Sequence, residues 1–140
     1  MTSNTPNEPA IEAQLDSQKL VEHKLVKYHI VAALSFMMCS MLTGLLISLQ
    51  FFNHNPLDGV SEYFSFGRLR LIHTNQIAYG FLVNGFLGML YYAVPRMTGR
   101  PVLNKKLGFV IFGVWQTLIV LVTIGFLLGK AQAVEWGETP

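Results

Sequence analysis

The stretch Phe66–Pro95, FGRLRLIHTNQIAYGFLVNGFLGMLYYAVP, constrains the fold more than any other part of the chain. Arg68 and Arg70 open it, His73 follows, and residues 74–95 carry no charge. About 20 uncharged, mostly apolar residues are enough to cross a bilayer as a helix. Two similar runs flank this one. The sequence therefore predicts an all-α membrane protein with three transmembrane helices, at residues 27–53, 70–95 and 107–130. The remaining segments read as a polar tail (1–26), a loop (54–69), a short basic loop (96–106) and a second tail (131–140).

Composition supports that class. Of the 140 residues, 51% are hydrophobic and only 13% are charged, whereas a soluble domain is about a quarter charged. A net charge of +2 is too small to argue for nucleic acid as a partner. Cys39 is the single cysteine, so it forms no intrachain disulfide and says nothing of redox compartment. Residues 1–16 are polar and acidic and do not read as a signal peptide. The first twenty residues read as a disordered or partner-bound tail, and residues 11–25 have the pattern of a short amphipathic helix.

The spans carry their own punctuation. Asn55-Pro56 and Asp58-Gly59 are turn signals in the first loop, where Tyr63, Phe64 and Phe66 suit a water–lipid interface. Pro95 marks the expected end of the second span, and Trp136 is an interfacial anchor in the last tail. Basic residues set the orientation. Lys19, Lys24, Lys27, Arg96, Arg100, Lys105 and Lys106 lie on one side, against Arg68, Arg70 and Lys130 on the other. The positive-inside rule then puts the N-terminus and the second loop in the cytoplasm. His73 falls near the outer surface.

A histidine in a membrane span needs partners for its nitrogens. Three readings of His73 compete: a hydrogen-bonded packing residue, a member of a proton path, or an axial ligand to haem iron. At 100° per residue, His73, Gly80, Asn84 and Tyr91 share one stripe. Gly80 on that stripe would let a flat ligand or another backbone approach, and Asn84 adds a polar group. Plain helix packing explains both equally well. Arg68 and Arg70 lie where propionates of a haem at His73 would emerge, and guanidinium pairs well with carboxylate; taken alone they read as interface anchors. A second axial ligand is not at hand. His29 is expected about 30 Å away across the membrane, His54 lies in the loop and His23 in the tail. It would come from another polypeptide or from further chain beyond this sequence, so the three spans are expected to be part of a larger helical bundle.

The run Phe66-Gly-Arg-Leu-Arg-Leu-Ile-His-Thr-Asn75, its continuation to Tyr91-Tyr92, and Gly44-Leu-Leu-Ile-Ser-Leu-Gln50 upstream resemble the start of the catalytic subunit of the haem–copper oxidases. The branch is that of the cbb-type cytochrome c oxidases and the nitric oxide reductases. The resemblance covers roughly residues 28–140. It implies that His73 is one axial ligand of the low-spin haem b; Arg68, Arg70, Gly80 and Asn84, read from their positions along the helix, are the residues expected around the cofactor. It also implies a bacterial inner-membrane location, an N-terminus inside, a C-terminus in the periplasm and a c-type cytochrome subunit as electron donor. Residues 130–140 resemble a segment in which a glutamate helps to bind calcium near the propionates. Glu135 is the matching position, and a carboxylate is a proper ligand for that ion.

Family catalytic subunits have about twelve spans, and this chain has three. The ligands for copper or non-haem iron, for the high-spin haem and for the other side of the low-spin haem lie on later helices there. The four histidines here do not supply them. The chain is thus expected to need a larger membrane subunit, and not to be catalytic alone. Two other readings stand beside this one: a cofactor-free structural membrane subunit, and the three-helix haem anchor of a quinone-linked dehydrogenase. Gly125–Gly129, a G-x-x-x-G pattern, and the small residues Ser40 and Gly44 suit helix packing in each case.

Overall fold

A computed structural model describes residues 20–51 and 62–130. Residues 1–19 of the tail expected over 1–26, the part of the loop with His54 and its two turn signals, and Glu135 and Trp136 lie outside the described residues. Three long helices account for nearly all of the rest: α1 (His23–Phe51), α2 (Phe66–Thr98) and α3 (Lys105–Leu127). A short 3-10 turn, Glu62–Phe64, precedes α2. The shortest helix, α3, has 23 residues and so runs about 35 Å, more than the hydrocarbon core of a bilayer. By length and composition all three can cross a membrane.

Most apolar side chains point outward. Leu34, Met41, Leu45, Phe86, Met89, Val114 and Leu121 are all exposed, as suits lipid or further helices around them. The interior is unusually polar. Beside Leu25, Ala33, Leu69, Ile72, Ile119 and Phe126 it buries His29, Ser40, Gln76 and Asn84. Lipid tails are as apolar as leucine, so hydrophobicity does not drive helices together there. Small residues and hydrogen bonds do.

α2 is the middle element and packs along α1. Close approach needs glycine at defined points. A Cβ at Gly80 would lie 2.6 Å from the Phe36 ring, and one at Gly44 would lie 2.9 Å from the His73 ring. α3 meets α1 near the start of both. Lys105 Nζ is 2.7 Å from the Glu22 carboxylate, Leu25 covers Gly108, and Tyr28 packs on Phe109 and Phe112.

The helix bounds differ from the sequence expectation in instructive ways. Pro95 does not end α2; it is buried within the last turn. Proline removes one backbone donor, but residues beyond it complete the turn, and Thr98 Oγ1 donates to Val94 O at 2.9 Å. Gly99 is the stop, with φ 64° and ψ 19°, a left-handed conformation that favours glycine. At the other end α2 begins at Phe66, so Arg68 stands in its first turn rather than in the loop, and Arg70 in its second turn rather than at its first residue. Asn104 starts α3 by accepting the Leu107 N–H at 3.1 Å, an ordinary N-cap.

The G-x-x-x-G pattern of α3 also has another use. Gly129 lies past the helix, at φ 73°. Its N–H reaches Phe126 O, and the Lys130 N–H reaches Gly125 O, each at 3.0 Å. This is a Schellman C-cap, so the second glycine terminates the helix. Arg68 Nη1 donates to Leu127 O at 3.0 Å and satisfies another carbonyl left over at the helix end. Arg68→Ala is therefore expected to fray the end of α3 by about 1 kcal/mol. Hydrogen exchange of the amides of residues 125–130 checks this: roughly fivefold faster exchange there, with the middle of α3 unchanged.

The middle of α2 departs from α-helix. Gln76–Leu82 is a π-helical segment, a local form that is rare and tends to occur at functional sites. Trp115 Nε1 donates to Tyr79 O at 3.2 Å and Asn84 Nδ2 to Gly80 O at 2.7 Å. His73 stands one turn ahead of this segment.

Candidate functional site

His73 is half-buried and faces α1. Its Nδ1 lies 2.8 Å from Ser40 O and 2.9 Å from Ser40 Oγ. The Ser40 hydroxyl donates in turn to His73 O at 2.9 Å. A carbonyl oxygen only accepts, so Nδ1 carries the proton. A neutral imidazole then holds its lone pair at Nε2, and Nε2 makes no hydrogen bond among the described residues. Gly44, one turn beyond Ser40, gives the ring its room, since a Cβ there would sit 3.1 Å from Nδ1. The small face of α1 at Ser40 and Gly44 is thus the seat of His73.

This is the arrangement in which a histidine serves a metal. One nitrogen is tied to a backbone carbonyl, which fixes ring orientation and tautomer and raises the basicity of the other. Of the residues around it, Arg68 and Arg70 are on the same helix, toward its start. Arg68 spends one N–H on Leu127 O, and its guanidinium carbon is 5.8 Å from the centre of the Tyr63 ring. Arg70 is exposed. A guanidinium has five donors, so the bond to Leu127 leaves Arg68 others.

Gly80 and Asn84 do lie on the α1 face with His73, but other groups use them. The space at Gly80 is filled by Phe36. Asn84, fully buried, is the centre of a three-helix hydrogen-bond cluster. Its Oδ1 lies 3.0 Å from His29 Nδ1 and accepts from Gln116 Nε2 at 2.7 Å. Because Oδ1 only accepts, His29 Nδ1 is the donor. The His29 ring is stacked on Tyr91 at 5.4 Å between centres and meets the edge of Phe112 at 4.9 Å. Its Nε2 is buried without a hydrogen-bond partner among the described residues, as is Gln76 Oε1.

The expected separation of His29 and His73 is too large. His29 is 11 residues before Ser40 on α1, about 16 Å along the helix, not the 30 Å expected, because both histidines sit well inside the span ends. The two still serve separate contacts and cannot share one iron. Reading the sequence does not predict the cluster of His29, Asn84 and Gln116. A signal for it exists all the same: each of the three spans carries a polar amide or imidazole where lipid would not tolerate one alone. Among the described residues no three His, Cys, Asp or Glu side chains come together as a metal site.

Comparison with known proteins gives the family. The family model described as cytochrome c and quinol oxidase polypeptide I matches residues 24–140. The chain belongs to that family. A cytochrome c oxidase subunit 1 homolog of Agrobacterium tumefaciens is 29% identical over 82% of this chain and 21% of its own length. The cbb3-type cytochrome c oxidase subunit CcoN1 of Stutzerimonas stutzeri is 35% identical over 53% of this chain and 16% of its own. A nitric oxide reductase subunit of the same organism is 28% identical over 78% of this chain and 22% of its own. The chain thus spans about a fifth of the length of these relatives. No solved structure matches it.

Proposed function

We propose that this chain is the haem b-binding, N-terminal three-helix part of a respiratory terminal oxidase or nitric oxide reductase. His73 supplies one axial ligand of the low-spin haem through Nε2. One observation carries the reading: Nδ1–H is committed to Ser40 O, which leaves the lone pair of a neutral imidazole on Nε2. When bound, the haem supplies one-electron transfer.

The chain's own residues do the positioning. Ser40 holds the imidazole by its carbonyl and hydroxyl, and Gly44 leaves the ring its place. Arg68 and Arg70 offer charged donors to carboxylates at the same end of α2. In this reading Gly80 and Asn84 act at one remove, by setting how α1 and α2 pack beneath His73. Glu135, outside the described residues, is the proposed calcium ligand, with the ion shared with a partner. The larger membrane subunit completes the bundle and contributes the other axial ligand, the high-spin haem, and copper or non-haem iron. A c-type cytochrome subunit delivers electrons. The excess of basic residues at the start of α1 and between α2 and α3 supports a cytoplasmic side for those ends, with His73 toward the periplasm of a bacterial inner membrane.

The test is a dithionite-reduced minus oxidised spectrum of the native complex, with its subunits identified by mass. A haem b signal together with a large subunit rich in helical histidines is expected. An assembly that contains this chain but neither of those would make His73 a packing residue, held by Ser40 alone.

A further inference from the structure

Gly99 turns the chain back on α2, and the turn makes a slot. One wall is α2 itself, with Leu87, Leu90 and Val94; the other is the returning loop, with Val102 and Leu103. Arg100 also lines the slot, just beyond the end of α2, and the half-open space is about 430 Å³. From Leu87 to Thr98 the slot follows 11 residues of helix, about 16 Å. That is half the thickness of the hydrocarbon core, the depth of one leaflet.

Charge complements this shape. Among the described residues the only carboxylate at this end is that of Glu22, which Lys105 holds at 2.7 Å. Arg96 is turned onto Tyr92, donating to its hydroxyl and lying over its ring. Arg100 and Lys106, both exposed, have no carboxylate on them among the described residues. Leu103 and Met97 beside them are almost wholly exposed, apolar groups placed at the level of a headgroup. An apolar slot one leaflet deep with a guanidinium at its mouth fits an amphiphile with a negative head.

We infer that the slot between α2 and the 99–104 turn binds one anionic phospholipid, with an acyl chain along Leu87–Val94 and the phosphate at Arg100. The inference is independent of the haem reading. Basic pockets at the ends of membrane helices bind anionic head groups by the same physics, with each basic residue changing affinity about fivefold.

The experiment uses the intact complex in detergent, delipidated and then titrated with phosphatidylglycerol or phosphatidylcholine, and counts bound lipid by native mass spectrometry. One phosphatidylglycerol is expected to bind about fivefold more weakly to Arg100→Gln, while Arg100→Lys binds nearly as wild type. Val94→Trp, which fills the slot without touching its charge, is expected to lose that lipid and gives the answer should Arg100→Gln not assemble. Equal retention of both lipids, or an unchanged count in the variants, would overturn the proposal. A photo-crosslinking residue at position 103 identifies the occupant directly. A phospholipid adduct supports the inference; an adduct with residues 1–19 of this chain, or with another subunit, overturns it.

Discussion

Replacing His73 by alanine is expected to abolish the low-spin haem b band of the assembled complex. The reason is local. Nε2 is the one imidazole lone pair that this part of α2 presents, and neither residue of its seat can take its place: Ser40 offers oxygen to Nδ1, and Gly44 has no side chain. The variant leaves a hollow lined by Ser40 and Gly44, of about the size of the lost ring. Free imidazole is then expected to enter it and restore part of the low-spin signal. That rescue separates ligation from packing, because a residue that merely packs would give no spectrum to restore. Ser40→Ala is expected to behave differently. It removes the hydroxyl that donates to His73 O but keeps the Ser40 carbonyl. The haem should stay, with a loss of affinity below the tenfold or more that follows removal of a whole outer partner. An unchanged spectrum in His73→Ala would sink the assignment.

How much of this can be read in advance depends on the length scale of the signal. The three spans are legible because the physics of a bilayer acts on composition over twenty residues, and composition is what a sequence displays. His73 is legible because an imidazole in such a span is costly without a partner. Its partner is half legible: Ser40 and Gly44 stand out as a small face, but nothing in one sequence says which histidine a small face receives. The stripe of His73, Gly80, Asn84 and Tyr91 does face one neighbour, α1. What the periodicity does not show is that the neighbour fills it. Phe36 enters at Gly80 and His29 at Asn84, so the stripe is an interface and not an open slot.

Ends are the least legible. Pro95 looks like a terminator because proline lacks a donor, yet a helix tolerates that loss in its last turn, and the positive φ of Gly99 makes the actual stop. Gly129 looks like a packing glycine from its spacing, and its backbone conformation makes it a cap. The π segment over Gln76–Leu82 has no composition of its own. It shows only in the backbone and in the side chains of Trp115 and Asn84 that donate to its carbonyls.

The sharpest test of this geometry uses glycines against each other. Gly44→Ala is expected to displace the His73 ring, since the new methyl would lie 2.9 Å from Cε1 and 3.1 Å from Nδ1, well inside contact distance. The ring is held by Ser40 on the same helix, so it cannot swing away without giving up the bond to Ser40 O. Either that bond lengthens or α1 and α2 separate, and both outcomes move Nε2. A weakened low-spin band with some high-spin absorption is expected, along with a stability loss of about 1–3 kcal/mol. Gly80→Ala meets Phe36 at 2.6 Å, which is tighter still but does not touch the imidazole. It should lower thermal stability by a similar amount while the haem that remains bound keeps its spectrum. Gly85→Ala, on the same helix with nothing within 4 Å of the new Cβ, should change neither. If all three alanines lower stability and none alters the spectrum, the α1 face at Gly44 serves packing alone, and His73 owes its place to something other than the seat described here.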